Sequence, residues 1–289
     1  MAAPCTLCPR NCRADRERTP GYCGVGQNAR VARAALHFWE EPCISGTQGS
    51  GTVFFSGCTL RCAYCQNHEI SHLRQGKEIT SAHLADLFRN LVGQGAHNIN
   101  LVTGTQFIPA ILEALSIYKP PVPIVWNSGG YEKIETLRLL EGVVDIYLPD
   151  FKHLSPRLSA LCTGAPDYGE IAGAAIAEML RQTGLPAYDG HGMMQKGTLI
   201  RHLILPGCTG DSMKILSFIA ENFPGVPVSL MRQYTPEPWC DIPGLDRRIT
   251  DREYERVLAH FRALGLPGYL QEKESADAQY TPAFDLTGV

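Results

Sequence analysis

The chain has 289 residues, 44% of them apolar, which is enough for one large single-core domain or two small ones and excludes collagen-like and disordered classes. Its 26 basic and 29 acidic residues are spread along the chain and give a net charge of −3, so no electrostatic footprint for nucleic acid or an anionic membrane is present. No apolar run approaches the roughly 20 residues that span a bilayer, and MAAPCTLCPR has a cysteine where a signal peptide would have its apolar core. We expect a soluble cytoplasmic protein that binds neither nucleic acid nor membrane.

Residues 1–50 form a Cys-rich N-terminal extension with turn signals and little sustained apolar periodicity. Four cysteines have the spacing C-x2-C-P-x2-C-x10-C, which is a full complement of ligands for structural zinc or an auxiliary iron–sulfur cluster. Four ordinary buried thiols are the alternative. The four are Cys5, Cys8, Cys12 and Cys23. The eleven cysteines of the chain are an odd number, and most lie among the first 65 residues, which in a reducing compartment favours metal ligation over disulfides.

From residue 51 the pattern changes to apolar, strand-like runs that alternate with amphipathic helical stretches. The six strand-like runs are TVFFSG, INLVTG, PIVWNSGG, VDIYLPD, LIRHLILPG and VPVSLMRQY. Helices are predicted from about Ser81, at IPAILEAL, YEKIETLRLL and DYGEIAGAAIAEMLRQTG, after Asp211, and from a capped start near Thr250. Six such units predict an α/β barrel or partial barrel over residues 51–270, followed by a tail, residues 271–289, that packs on it.

The carboxyl ends of the predicted strands carry polar residues and glycines. Ligands collect at this end of parallel sheets, so these residues predict a single shared pocket. They are Cys58, Cys62 and Cys65 after the first strand, then Thr103-Gly104-Thr105, Asn127-Ser128, Asp150 with Lys152, Pro206-Gly207, and Gln233-Tyr234.

The loop GCTLRCAYCQN spaces its three cysteines C-x3-C-x2-C. Three thiolates leave one iron of a 4Fe–4S cluster without a protein ligand, and that iron is free to bind a substrate or cofactor. The alternative is a zinc site completed by His68 or His72. The other four cysteines are isolated in the sequence, and Cys208 is the one that we would test for contact with substrate.

The same loop resembles the signature of the radical S-adenosylmethionine (SAM) enzymes, with Tyr64 in the aromatic position before the last cysteine. HFWEEPCISG, GAHNINLVT, YLPDFKH, RHLILPG and QYTP resemble the pyruvate formate-lyase activating enzyme-like branch of that superfamily. The resemblance covers roughly residues 36–270 and implies a partial (β/α)6 barrel of the radical SAM type.

By this resemblance Cys58, Cys62 and Cys65 bind three irons of a 4Fe–4S cluster, and the amino and carboxylate groups of SAM bind the fourth. One electron from the cluster then gives methionine and a 5′-deoxyadenosyl radical, which abstracts hydrogen from the substrate. The family's Gly-Gly-Glu segment, which meets the methionine amino group, is replaced here by Thr103-Gly104-Thr105-Gln106 and loses its carboxylate.

The resemblance also assigns the remaining strand ends to the cofactor. Asn127 and Ser128 would bind the ribose or the methionyl group, Arg201 a carboxylate, and Gln233 the adenosine side. Asp150 and Lys152 alternate across Phe151 and can point to one side of an extended strand. Alternatively, those two pair with each other and Arg201 anchors a surface acid.

Three functions follow as hypotheses. The first is activation of a glycyl-radical enzyme by hydrogen abstraction from a glycine, with flavodoxin or ferredoxin as the reductant. The second keeps the radical step but acts on a small molecule or peptide. The third is a zinc- or cluster-binding module that transfers electrons or holds a partner without catalysis.

Overall fold

The computed structural model describes residues 4–271 and 281–289. Its strands are β1 Ala29–His37, β2 Ser50–Phe55, β3 Lys77–Ile79, β4 Ile99–Val102, β5 Ile124–Ser128, β6 Ile146–Pro149, β7 Ala187–Tyr188, β8 Met194–Thr198, β9 Ile200–Leu203, β10 Val228–Met231 and β11 Gly268–Leu270. Its α-helices are α1 Pro42–Ser45, α2 His68–Ser71, α3 Ser81–Gly93, α4 Ile108–Ile117, α5 Ile134–Leu137, α6 Pro156–Thr163, α7 Tyr168–Thr183, α8 Thr209–Asn222 and α9 Asp251–Ala263. Two 3₁₀ turns lie at Thr105–Phe107 and Arg138–Leu140.

The strands form a curved, mostly parallel wall. β2, β4, β5, β6 and β8 pair in parallel in that order, and β9, β10 and β11 form a second parallel set. An isolated parallel bridge between Asp150 and Arg201 joins the two sets. β1 runs antiparallel to β2 at one edge of the wall. The structure therefore confirms the α/β fold with an open, partial barrel.

The strands are apolar because both of their faces are covered. Ile99, Leu101 and Trp126 pack on the outer side in one cluster with residues of α3 and α4. Val125 and Leu148 belong to an inner cluster with Cys43 and Ile44 of α1. His37 pairs with Ser50 at the start of β2, so α1 lies at the amino ends of the strands and fills the bottom of the barrel.

Helix capping follows the sequence closely. The Thr80 side chain accepts the backbone N–H of His83 at the start of α3. At α9, Thr250 and Glu253 form the reciprocal capping box expected from the sequence ITDRE. None of the helices in the described ranges is long and apolar enough to cross a bilayer.

Two helix predictions need correction. YEKIETLRLL forms only the short α5 and a 3₁₀ turn, because Tyr131 is hydrogen-bonded to Asp167 and Glu132 to Thr105, which holds the residues before Ile134 out of a helix. α8 begins at Thr209 rather than after Asp211. The Asp211 carboxylate accepts instead the backbone N–H groups of Leu154 and Ser155.

The segments outside the predicted barrel contact it directly. β1 belongs to residues 1–50 yet pairs with β2, and residues 281–289 lie against β1 through two backbone hydrogen bonds. Residues 1–3 of the predicted N-terminal extension and residues 272–280 of the predicted tail lie outside the described ranges. The domain boundaries at residues 50 and 270 stay predictions.

Candidate active site

The three-cysteine loop leaves β2 at the carboxyl end of the parallel wall. Gly57 begins the loop with φ 78°, and a Cβ there would lie 2.7 Å from the carbonyl oxygen of Cys23, so only glycine suits this position. The Cys58 Sγ accepts the backbone N–H groups of Leu60 at 3.3 Å and Arg61 at 3.5 Å. These donors stabilise a thiolate, and hydrogen bonds of this kind surround the sulfur ligands of iron–sulfur clusters.

Of the other two thiols of the loop, Cys62 is buried and Cys65 is half-buried. Burial raises the pKa of Cys62 and of Cys65, and the neighbouring cysteines of the loop add to the rise because like charges repel. The Ser71 hydroxyl donates to the Cys65 Sγ at 3.4 Å. Sulfurs gathered under these conditions become thiolates when a cationic centre binds them, so the donor set suits an iron–sulfur cluster.

No three His, Cys, Asp or Glu side chains within residues 4–271 and 281–289 converge as ligands of a single metal ion. Three cysteines that each bind a different iron do not need to share one ion. Of the two histidines of the zinc alternative, His72 lies beside the loop, with its Nδ1 2.9 Å from the Ser71 hydroxyl oxygen. The rings of His68 and His72 stack at 4.5 Å, and His68 also stacks on Trp239 at 4.4 Å.

Four of the predicted site residues meet in one charged network inside the barrel. The guanidinium of Arg201 donates to Asp150 at 2.9 Å and to the Asn127 amide oxygen at 2.6 Å. Its third partner is Glu40, at 3.0 Å, which also accepts the Asn127 amide N–H. The ammonium of Lys152 donates to Asp150. Burial acts against the charge on Asp150, but Arg201 and Lys152 hold the pKa of this carboxyl below its usual range.

Sequence reasoning missed Glu40 as a member of this network. It comes from the loop before α1, at the amino end of the barrel, and its carboxylate reaches two side chains of the opposite end. The sequence feature that could have indicated Glu40 is the acidic pair in HFWEEPC, directly before the proline that starts α1. Because all three nitrogens of Arg201 already have protein partners, Lys152 is the basic side chain better placed to meet a further anion.

The turn after β4 carries the Thr103-Gly104-Thr105-Gln106 segment. Thr103 has φ 59°, in the left-handed region that favours glycine. A Cβ on Gly104 would lie 2.9 Å from Ile111 and 3.0 Å from Trp126. The Gln106 amide donates to the carbonyl oxygens of Thr103, Ser56 and Gly57, and so ties this turn to the cysteine loop.

Glu132 supplies a carboxylate that the sequence pattern of this turn lacks. The Thr105 hydroxyl donates to Glu132 Oε1 at 2.7 Å, and the Trp126 indole N–H lies 3.4 Å from the same oxygen. Glu132 is 3% exposed, and burial raises its pKa to about 7. Its Oε2 has no hydrogen-bond partner in the described structure. Buried polar atoms of this kind are expected where a polar ligand or water binds.

The remaining predicted residues, Tyr64, Ser128 and Gln233, lie outside the charged network. Tyr64 is buried, and its hydroxyl lies 3.0 Å from His153 Nε2, while its ring packs edge-on against Tyr234. Ser128 accepts the N–H of Gly130. The Gln233 amide oxygen accepts an N–H of Gln271 at 3.0 Å, so Gln233 contacts the residues after β11 rather than the charged network.

The four N-terminal cysteines lie close to the three-cysteine loop, although within the described residues they do not converge on one ion position. The sulfurs of Cys12 and Cys23 both flank Gly21. Burial raises the pKa of Cys8 to about 11, with Cys23 and Cys5 adding to the rise. The carbonyl oxygen of Cys23 accepts the N–H of Cys58 at 3.3 Å, so the two cysteine groups are joined by the backbone.

Three cysteines that are isolated in the sequence are neighbours in the fold. Burial raises the pKa of Cys162 to about 12, and the nearby Cys208 and Cys240 contribute to the rise. The carbonyl oxygen of Cys162 accepts the N–H of Ala63 in the three-cysteine loop. No sequence pattern indicates this proximity, because the three residues lie on separate loops and helices.

The chain as a whole is similar to known proteins. The radical SAM superfamily domain matches residues 52–218. Over 268 residues the chain is 31% identical to the uncharacterized protein MJ0674 of Methanocaldococcus jannaschii, a match that covers 88% of this chain and 73% of that protein.

Solved structures show a similar fold. A radical SAM methyltransferase from Sphaerobacter thermophilus has a TM-score of 0.51 at 15% identity, covering 77% of this chain and 66% of its own. The FeFe-hydrogenase maturase HydG from Carboxydothermus hydrogenoformans also has a TM-score of 0.51, at 14% identity, covering 80% of this chain and 56% of its own. The chain spans about half to two thirds of the length of these structures.

Proposed function

The chain belongs to the radical SAM superfamily, and from that premise we propose that it cleaves SAM reductively at a 4Fe–4S cluster held by Cys58, Cys62 and Cys65. Superfamily membership implies both cofactors and an enzyme rather than a passive metal-binding module. The observation that carries the proposal is the cysteine loop itself, with its sulfur-directed hydrogen bonds, at the same end of the barrel as the network of Asp150, Lys152 and Arg201.

When bound, the cluster and SAM supply a 5′-deoxyadenosyl radical that takes a hydrogen atom from the substrate. The chain's own residues bind and orient these groups. Lys152 would meet the SAM carboxylate, because each nitrogen of Arg201 already has a protein partner within the network. Thr105, backed by the Glu132 carboxylate, would meet the amino group in place of the missing Gly-Gly-Glu glutamate. Gln233 would lie on the adenosine side, and Tyr64 would contact the cofactor from the aromatic position before Cys65.

The substrate in this proposal is a backbone position of a protein or peptide, with the glycine of a glycyl-radical enzyme as the specific candidate. The sequence resemblance to the pyruvate formate-lyase activating enzyme-like branch supports this choice. Flavodoxin or ferredoxin would deliver the electron, under anaerobic conditions in the cytoplasm. A small-molecule substrate is the alternative, and a glycyl radical signal after incubation with a candidate partner protein separates the two.

The N-terminal cysteines are proposed as a second metal site, holding zinc or an auxiliary iron–sulfur cluster. Cys23 lies within electrostatic reach of Cys5, Cys8 and Cys12, and the backbone hydrogen bond from Cys58 to Cys23 joins this group to the three-cysteine loop. A cluster would suit electron transfer to the catalytic site, whereas zinc would act as a structural staple.

The decisive experiment is anaerobic reconstitution with iron and sulfide, followed by reduction in the presence of SAM and quantification of 5′-deoxyadenosine. The wild-type chain should release it, and Cys62→Ala should lose at least 90% of the release together with the cluster absorbance. Cys43→Ala is the matched control, since Cys43 is equally buried but lies at the opposite end of the barrel. Release that survives in Cys62→Ala would refute the proposal.

The second site is tested by metal content. Cys8→Ser should lose the zinc or iron of the N-terminal site and keep the absorbance of the catalytic cluster, whereas Cys58→Ser should do the reverse. Equal metal content in the wild-type chain and in Cys8→Ser would show that the N-terminal cysteines are ordinary thiols.

A further inference from the structure

Residues 281–289 lie along one edge of β1 like an added strand. The Leu286 N–H donates to the Ala32 carbonyl oxygen at 3.0 Å, and the Ala34 N–H donates to the Thr287 carbonyl oxygen at 2.9 Å. Arg33 binds the segment through the Asp285 carboxylate at 3.1 Å. β3 pairs with the same strand only at residues 29–31, so this segment takes the place that β3 leaves.

The segment also inserts an aromatic side chain. Phe284 is 9% exposed and packs in one cluster with Ala32, Phe54, Ile70 and Val102. The rings of Phe284 and Phe54 meet edge-on with centroids 5.5 Å apart. Main-chain pairing together with a pocket for one side chain is the way in which a sheet edge binds an extended peptide.

This pocket opens on the inner face of the barrel. Phe54 pairs with Val102, Val102 with Asn127, and Asn127 with Leu148, and residues paired across a parallel sheet lie on the same face. Asn127 belongs to the charged network, so Phe284 occupies the same face, in the row of the cofactor residues. Phe54 is four residues before Cys58, and Ile70 is five residues after Cys65.

The segment binds with visible strain. Leu286 has φ 65°, in a region that disfavours residues with a side chain, and 42% of its surface is exposed, so burial does not compensate for the conformation. Gly288 fits only as glycine, because a Cβ there would lie 2.0 Å from the Ala34 carbonyl oxygen. A peptide without the strained residue would therefore bind this edge more tightly than the chain's own segment.

From these contacts we infer that the edge of β1 at residues 32–34 and the Phe284 pocket form the binding groove for an extended segment of a peptide or protein substrate with an aromatic anchor, and that residues 281–289 occupy this groove until the substrate displaces them. This inference rests on the proposed radical chemistry only for the nature of the substrate. The groove itself is formed by protein residues alone, so its binding of a peptide does not depend on a cofactor.

The test uses a chain shortened to end at residue 280 and a fluorescent peptide with the sequence of residues 281–289, TPAFDLTGV. The peptide should bind the shortened chain, and the full chain should bind it at least tenfold more weakly because its own segment competes. A peptide with Phe284→Ala should bind at least tenfold more weakly, and one with Leu286→Gly should bind more tightly. These measurements need no SAM cleavage, so their failure is distinct from failure of the proposed enzyme.

If the shortened chain is unstable, Gly288→Val in the full chain expels the segment by the clash with Ala34. Hydrogen exchange at the Ala34 amide should then rise at least tenfold, and added peptide should restore the protection. Leu270→Ala is the control, since Leu270 is a similarly exposed side chain on β11, and it should leave this exchange unchanged. Absence of peptide binding, or equal binding of the Phe284→Ala peptide, would overturn the inference.

Discussion

Thr103 combines a β-branched side chain with a backbone angle that such residues rarely adopt. Its φ of 59° lies where only glycine avoids a steric cost, and the surrounding hydrogen bonds hold it there: its N–H donates to Asn127, and its carbonyl oxygen accepts from Gln106. Strain of this kind concentrates at functional sites, where the rest of the structure over-determines it.

Thr103→Gly should raise the free energy of unfolding by about 1 kcal/mol, because glycine adopts this conformation without the steric cost. Denaturant unfolding measures the change. Thr105→Gly is the control: it loses the hydrogen bond to Glu132 and should destabilise the chain. A destabilised Thr103→Gly would mean that the threonine side chain has a packing role that outweighs the strain.

Glu132 has a pKa raised by burial from 4.5 to about 7, so its effect on stability depends on pH. The folded chain keeps the proton to higher pH than the unfolded chain does. The free energy of unfolding is therefore highest below pH 4.5 and falls as the pH rises to 7, because above pH 7 the buried carboxylate is charged.

Glu132→Gln should remove this decline, and at pH 8 should stabilise the cofactor-free chain by roughly 3 kcal/mol relative to wild type, with little difference at pH 4.5. Urea unfolding across this pH range checks the prediction. Glu141→Gln, at an exposed carboxylate bound to Arg181, should keep the wild-type decline. Parallel pH profiles for wild type and Glu132→Gln would contradict the assignment.

At the level of elements, the Arg201 side chain joins parts of the chain that are far apart in the sequence. It lies on β9 and contacts Asn127 on β5, Asp150 after β6, and Glu40 in the loop that leads into α1. A backbone bridge between Asp150 and Arg201 joins the two parallel sets at the same point. The guanidinium suits this position because its fork can serve three partners in one plane.

Arg201→Lys should therefore destabilise the chain by about 3 kcal/mol, since a single ammonium cannot replace all three contacts and leaves buried polar groups unpaired. Thermal and denaturant unfolding measure it. Arg181→Lys is the matched control on a half-exposed ion pair with Glu178 and Glu141, and should cost less than about 1 kcal/mol. Equal effects of the two variants would argue against a network in which Arg201 is central.

The local sequence predicts some helix boundaries correctly and others wrongly. The starts of α3 and α9 are set by their own caps, so Thr80 and Thr250 predict them correctly. The late start of α5 depends on Tyr131 and Glu132, whose partners Asp167 and Thr105 are distant in the sequence. No local propensity reports such contacts.

For the whole molecule, the barrel places the cysteines that we propose as cluster ligands where the fold alone does not stabilise their charged forms. The buried thiol of Cys62 and the half-buried thiol of Cys65 are neighbours, and repulsion between their charged forms would be relieved when a cluster binds. Binding that occurs only in the folded state adds to stability.

Anaerobic reconstitution with iron and sulfide should therefore raise the midpoint of thermal unfolding by more than about 5 °C. Cys62→Ala should lose most of this rise, and Cys43→Ala should keep it. Calorimetry under an inert atmosphere provides the measurement. A rise of equal size in Cys62→Ala would place the stabilising iron outside the three-cysteine loop.

The sequence by itself determined the α/β class, the parallel strands and the cysteine loop at the end of the first of them, because apolar periodicity, capping residues and cysteine spacing are local properties of the chain. It also selected Asn127, Asp150, Lys152 and Arg201, which the structure brings into one network. Only the tertiary structure decided that Glu40 completes this network, that Glu132 accepts a hydrogen bond from Thr105, and that Phe284 packs against Phe54 and Val102. These contacts join residues from 27 to more than 200 positions apart, and their energies depend on burial and distance, which no local pattern encodes.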